Sequence, residues 1–206
     1  MNTMASPWFD VPLTDYERHM TVLGQLPFLA RVFGETVRRC GARSVLVAGC
    51  AGGNGFDAVD DSVQLIGVDL LPEYLADAAL RYPRAKFIAA DLTRDAILCE
   101  PVELVHAALV FEHCGLDGAL ETCKRLVTPG GWFSVVLQLP VEAAAVASTG
   151  VESIQTLKQC FRFIDRQELA AALDGFSFEF EEETEVGEKR FWQGVWRRQG
   201  TSTMGA

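Results

Sequence analysis

The sequence predicts an α/β fold: a doubly wound, mostly parallel seven-stranded sheet with an antiparallel C-terminal hairpin. Three observations predict it. Short apolar runs alternate with segments of helical periodicity between residues 44 and 139, the mark of successive strand–helix–strand units. A glycine-rich turn, GCAGGNG over residues 49–55, follows the first run. Two late alternating runs, Phe176 to Glu181 and Lys189 to Arg198, lie too close in sequence to pair in parallel, because a parallel crossover needs about a dozen residues or more.

Each element has its own grounds. After an irregular lead containing Pro7 and Pro12, Thr14 and Glu17 are spaced as a capping box for a short helix through Tyr16, His19 and Met20. From Pro27 a second helix is expected. There Phe28/Leu29, Val32/Phe33 and Thr36/Val37 fall on one face, and Gly41 stands where a left-handed cap belongs. Ser44 to Ala48 (SVLVA) and Val63 to Val68 (VQLIGV) form buried strands, residues 72–82 a helix, Lys86 to Ala89 a third strand and Glu103 to Ala108 (ELVHAA) a fourth. Asp117 is expected to cap a helix running to Val127, and Pro129-Gly130-Gly131 turns the chain into a fifth strand, WFSVVLQL. Asp165 with Glu168 caps a further helix, which Gly175 ends. Phe176, Phe178 and Phe180 then alternate with polar residues, and Lys189 to Arg198 returns across Gly187 as the second arm of the hairpin. Trp192 and Trp196 share a face of that arm and are expected to pack together. The acidic run Glu179 to Glu185 is either a solvated strand face or a surface for a partner.

Composition narrows the function. With 49% hydrophobic and 22% charged residues among 206, the chain has enough apolar material for one sizeable core and is not a disordered sequence. A formal charge of −10 repels phosphate backbones and anionic lipid, so neither nucleic acid nor a membrane is the expected partner. Six cysteines without a C-x-x-C pair indicate neither a disulfide framework nor a zinc site. No apolar stretch reaches the roughly 18 residues of a membrane span. The start of the chain lacks a basic segment followed by an apolar run, so a cytoplasmic protein is expected.

In an open parallel sheet the ligand crevice lies beyond the carboxyl ends of the strands, where the strand order reverses. Gly49, Gly52, Gly53 and Gly55 after the first strand allow close backbone approach. The second strand ends in Asp69, about twenty residues beyond Gly49, a spacing at which an acid meets the two ribose hydroxyls of a bound adenosine. Leu70 and Leu71 would lie on the adenine face, and Asp91 with Leu92 would meet its edge. A dinucleotide fits poorly. The strict G-x-G-x-x-G pattern fails at Ala51 and Asn54, and Asp57, Asp60 and Asp61 crowd the place of a pyrophosphate.

Taken in order, VLVAGCAGGNG, GVDLLPEYL, FIAADL, ELVHAALVFEHC and LVTPGGWFSVVL resemble the successive motifs of the class I S-adenosylmethionine-dependent methyltransferases, within them the methyltransferase type 11 kind. The likeness covers Ser44 to Pro140, and the closing hairpin resembles that family's last two strands. It implies a Rossmann-like methyltransferase fold with S-adenosylmethionine as cofactor, S-adenosylhomocysteine as product and a small-molecule acceptor. It also implies that Gly49, Cys50 and Ala51 line the methionine part, Asp69 the ribose, Asp91 and Leu92 the adenine, and Ala107 and Ala108 the amino-acid end. Two positions depart from the family pattern: Val47 stands where an acid is common and Ala51 where glycine is. Asn54, Gln25 or main-chain carbonyls after the fourth strand are the substitutes for the missing anchor of the cofactor's ammonium.

The resemblance further divides the chain into residues 1–43, a helical segment that is either a lid carrying Tyr16, Met20 and Gln25 or a docking helix; residues 44–200, the single methyltransferase domain; and residues 201–206, a frayed tail. Residues 141–165 fall at the acceptor-side insertion, where Ile154, Leu157 and Phe161 at helical spacing face either the acceptor or the core. A general base is optional in such chemistry. His113 and His19 are the candidates for it, each with a plain structural role as the alternative, whereas His106 within an apolar strand is expected to be a satisfied core histidine. A cofactor-binding protein without catalysis and a nicotinamide oxidoreductase are the competing functions.

Overall fold

A computed structural model describes residues 6–200; the tail at 201–206 and the first five residues of the N-terminal segment lie outside that range. A 3-10 turn over Pro7–Asp10 leads into α1 (Leu13–Val22) and α2 (Gln25–Cys40). There follow β1 (Ser44–Ala48), β2 (Gln64–Asp69), α3 (Pro72–Arg81), β3 (Lys86–Ala89), β4 (Val102–Ala108), α4 (Phe111–Cys114), α5 (Ala119–Leu126) and β5 (Val127–Leu139). A 3-10 stretch (Ser153–Gln159), α6 (Arg166–Ala171), β6 (Phe176–Val186) and β7 (Lys189–Arg198) complete the chain.

The seven strands form one sheet in the order β3-β2-β1-β4-β5-β7-β6. The first five pair in parallel, while β7 runs antiparallel to both β5 and β6. This is the expected class, and β1 and β3 have the expected bounds. They were readable because a strand covered on both faces must be apolar throughout.

Alternation along β1 builds the two cores. Leu46 and Ala48 join Val105, Ala107 and Phe133 on one face; Val45 and Val47 join Phe33, Val37 and Leu75 on the other. Helices α2 and α3 cover the second face, α5 and α6 the first. Burying a side chain such as Phe33 contributes about 1.5–3 kcal/mol, so the apolar stripe of α2 fixes that helix to the sheet. Trp192 and Trp196 pack edge to face, 5.8 Å apart.

Several boundaries differ from expectation, among them α2 opening at Gln25 before Pro27 and β2 lying one residue later at Gln64–Asp69, and three of the differences have a local reason. Helix α1 starts at Leu13 with Pro12 at its cap position, so Thr14 is already inside the helix and caps nothing. Glu17 instead pairs with Arg81 of α3. Helix α5 is preceded by Gly118 at φ +70°, not capped by the Asp117 side chain, because a Cβ at Gly118 would strike the carbonyl oxygen of Thr93. Strand β5 begins before Pro129-Gly130-Gly131: Val127 already pairs with Val102, and the ladder resumes at Trp132 opposite Leu104. The Asp165 cap forms as expected, accepting from the amides of Gln167 (2.7 Å) and Glu168 (3.0 Å). Residues 151–163 hold a 3-10 stretch, not a regular α-helix.

No helix among the described residues is long and apolar enough to cross a membrane.

Candidate functional site

The chain passes from β1 through β2 to β3 on one side of the sheet and resumes at β4 on the other. The carboxyl ends of β1 and β4 therefore splay apart at the switch point, where a crevice opens. A cavity of about 420 Å³ lies there.

Its floor is the loop after β1. The amides of Gly49 and Cys50 both donate to the Val68 carbonyl, at 2.8 and 3.0 Å. This tight return needs left-handed backbone at Gly49 (φ +67°) and at Ala51 (φ +46°). A Cβ at Gly49 would lie 2.5 Å from Cγ2 of Val110, so only glycine fits beside the segment after β4. Gly49 and Ala51 line the cavity. Cys50 does not: its thiol turns away toward Gly67 of β2, and burial pushes its pKa up. Asn54 is not on the cavity wall either, and its side-chain nitrogen is buried without a hydrogen-bond partner.

Asp69, at the end of β2, faces the cavity. Its Oδ2 accepts from the Ala51 amide (2.8 Å) and its Oδ1 from the Leu71 amide (3.0 Å). Burial raises its pKa, while these amides act in the opposite direction by favouring the charged form. Each oxygen keeps a lone pair for a further donor. Beside it Tyr16 and Tyr74 stack at 6.4 Å, and the Tyr74 hydroxyl donates to the Val11 carbonyl at 2.6 Å. Burial and the nearby Asp69 charge raise both phenols, so each stays protonated.

Leu70, Leu71, Leu92 and Asp91 also line the cavity. The Asp91 carboxylate is already engaged in its own turn. Oδ1 accepts from the Thr93 amide (2.9 Å) and hydroxyl (2.6 Å), and Oδ2 accepts from Nε of Arg94 (2.7 Å). Burial would raise its pKa, yet these bonds hold it below the usual carboxylate range.

At the end of β4, Ala108 lines the cavity and Ala107 does not; Ala107 is fully buried in the core. Neighbouring residues of a strand point to opposite faces, so one of the pair had to turn away. Leu109 takes φ +57° and donates its amide to the Val136 carbonyl at 2.9 Å, which brings Val110 over the loop.

The far wall joins the N-terminal segment to α4 and to the segment after β5. Tyr16, His19, Met20 and Gln25 of the N-terminal segment face the cavity, as does His113 of α4. His19 Nδ1 lies 2.8 Å from the Thr149 hydroxyl, joining α1 to the segment after β5. Ser153 donates to Asp15 at 2.6 Å and reinforces that join. His113 sits edge-on between Trp8 (4.9 Å) and Phe161 (5.4 Å), with Nδ1 3.6 Å from the Cys160 sulfur. Burial lowers its pKa to about 4. His19 is lowered too, by burial and by the Lys189 charge. Both imidazoles are therefore neutral at neutral pH. His106 is the core histidine expected, 3.1 Å from the Ser134 hydroxyl and fully enclosed.

Sequence reasoning missed Trp8, Tyr74, Val110, Arg94 and Gln138, all on the cavity wall. Gln138 carried a signal: it is a polar residue near the carboxyl end of an otherwise apolar strand. Trp8 carried none, because its place depends on how the N-terminal segment folds back.

The family model described as a methyltransferase domain matches residues 46–135, from β1 into β5. Among curated proteins the sequence matches none. Three solved structures share the fold. Magnesium protoporphyrin IX methyltransferase ChlM from Synechocystis PCC 6803, with bound S-adenosylhomocysteine, has TM-score 0.64 at 14% identity over 89% of this chain and 87% of its own. The N-methyltransferase NodS from Bradyrhizobium japonicum WM9, in complex with S-adenosyl-L-homocysteine, has TM-score 0.60 at 15% identity over 95% and 93%. The [4+2]-cyclase SpnF has TM-score 0.60 at 16% identity over 76% and 75%. Residues 46–135 thus match the model of a methyltransferase domain, and the seven-stranded sheet in which they lie has the Rossmann-like methyltransferase fold of these structures.

Proposed function

We propose that this chain binds S-adenosylmethionine in the crevice and transfers its methyl group to a small-molecule acceptor, releasing S-adenosylhomocysteine. The observation that carries the reading is Asp69, fixed by two backbone amides at the cavity wall with acceptor capacity to spare. A carboxylate held this way suits the two hydroxyls of a ribose. Leu70, Leu71, Ala90 and Leu92 give the apolar surface an adenine needs. The amino-acid end is different. Among the described residues no carboxylate replaces the acid missing at Val47, and of the substitutes Gln25 lines the cavity while Asn54 does not, its side chain reaching Tyr16 instead. Gln25 and the carbonyls after β4 would hold the ammonium.

When bound, the sulfonium supplies a methyl group on an already activated leaving group. The chain's task is then alignment and exclusion of water. Gly49 and Ala51 would hold the sulfur side, with Ala108 at the amino-acid end, while Tyr16, Met20 and Trp8 close the cavity from above. Because sulfur would keep the electron pair of the carbon–sulfur bond, no side chain would have to protonate the leaving group. An acceptor proton passes to His19. Its Nδ1 is engaged by Thr149, so uptake falls to Nε2. His113, lowered to about 4 and set among aromatic rings, is the weaker base and serves as wall.

Calorimetry with S-adenosylmethionine and S-adenosylhomocysteine, followed by a methylation assay on a metabolite pool, tests the reading. Binding and turnover support it; affinity for NAD(H) alone defeats it. A second reading, binding without methyl transfer, is favoured by the uncharged amino-acid end, and a [4+2]-cyclase shares the fold. Tight binding with no turnover on any pool would select it. The six cysteines are all free thiols, which suits a reducing compartment, and we place the protein in the cytoplasm on that ground.

A further inference from the structure

We infer that the acceptor is an uncharged, flat, largely apolar molecule, seated against the wall made by Trp8, His113 and Phe161. This deepens the methyltransferase reading and rests on it for the position of the methyl group. Among the described residues, the charged ones lining the cavity are Asp69, Asp91 and Arg94, all on the β2–β3 side. The opposite side is built from Trp8, Met20, Val146, Ile154, Leu157 and Phe161. Ile154 and Leu157 belong to a separate apolar cluster with Val11, Val146 and Val151, joined by Trp8 and Phe161. The polar groups on this side are neutral or already occupied. His19 and His113 carry no charge at neutral pH, and the Gln138 side chain donates to the Ala145 carbonyl at 3.0 Å.

Lys189, close enough to His19 for its charge to be felt there, is spoken for. Lys189 donates to the carbonyls of Ala144 and Ala145, 2.8 Å in the latter case, and is itself buried. An acceptor bearing a carboxylate, phosphate or ammonium would enter without a counter-ion and lose its hydration uncompensated. A flat ring loses nothing. Trp8 and Phe161 meet His113 edge-on, at 77° and 80°, and a wall of crossed rings offers faces and edges to another ring.

The test titrates three probes of one shape, 2-naphthol, 2-naphthoate and 2-naphthylmethylammonium, into the protein with and without S-adenosylhomocysteine. We expect 2-naphthol to bind at least tenfold more tightly than either ion in both states. Phe161→Ala should weaken 2-naphthol at least fivefold and leave S-adenosylhomocysteine affinity unchanged. Equal or tighter binding of either ion, failure of 2-naphthol to bind, or indifference of 2-naphthol to Phe161→Ala overturns the inference. Failure of S-adenosylhomocysteine to bind, with the probe ranking intact on the free protein, would instead sink the methyltransferase reading and leave the apolar wall standing.

Discussion

Asp69 Oδ2 accepts the amide of Ala51 at 2.8 Å, tying the end of β2 to the loop that leaves β1. One side chain thereby shapes the cavity floor and presents a carboxylate to the cavity.

Replacing it acts on both. Asp69→Ala leaves the Ala51 and Leu71 amides without their acceptor and removes the proposed ribose partner. Bonds to a charged acceptor are worth about 1.5–3 kcal/mol, so S-adenosylhomocysteine affinity should fall by roughly 10- to 150-fold in calorimetry. Unchanged affinity would remove Asp69 from the site.

The loop tolerates a side chain at one left-handed position and not at the other. Gly49→Ala meets Val110 Cγ2 at 2.5 Å and adopts φ +67°, costing about 1–2 kcal/mol for the backbone alone. A lowered melting temperature is expected. Ala51→Gly relieves φ +46° but loses a buried methyl. The two effects nearly offset, leaving stability within about 1 kcal/mol.

Across the sheet, Ser134 joins a buried polar chain. Its hydroxyl accepts from Gln193 Nε2 (3.0 Å) and meets His106 Nδ1 (3.1 Å), and the same Gln193 nitrogen donates to Thr36 at 2.6 Å. Ser134→Ala strands the imidazole nitrogen away from water. Urea unfolding at pH 7 should show a loss of about 1–3 kcal/mol.

Glu112 is wholly enclosed. Its Oε1 accepts from the Gln138 amide at 2.7 Å, its Oε2 has no partner, and burial pushes its pKa up to about 7. In the unfolded chain it ionises near 4.5. The folded state therefore holds the proton more firmly, and this contribution to stability is full below about pH 4.5 and lost as pH rises through 7. Glu112→Gln lacks that dependence. Its stability relative to the parent protein should rise by up to about 3 kcal/mol between pH 4 and pH 8, measured by denaturant melts at each pH.

Much of the site was legible because its parts are local. Asp69 is the last residue of β2, and a short strand that ends at the sheet's rim leaves its last residue at the crevice. The same reasoning failed one residue at a time where orientation mattered. Ala107 and Ala108 were paired in expectation, yet the pleat sends only Ala108 to the cavity. Cys50 and Asn54 sit in the same loop without lining the cavity: past the left-handed turn at Gly49 the Cys50 thiol lies against Gly67, and Asn54 reaches the Tyr16 side chain. Thr14 has the spacing of a cap, but Pro12 fixes where the chain enters α1 and the helix begins two residues earlier, at Leu13.

The sequence by itself determined the alternation of strands and helices, the parallel sheet with its antiparallel hairpin, and the acid at the end of β2, since apolar periodicity and turn residues act over a few neighbours. Tertiary structure alone decided the cavity's far wall. Trp8, His113 and Phe161 are distant in the chain and meet only when the N-terminal segment folds back onto the stretch after β5. That meeting rests on long-range packing and on the bonds His19–Thr149 and Asp15–Ser153, whose partners no local pattern pairs.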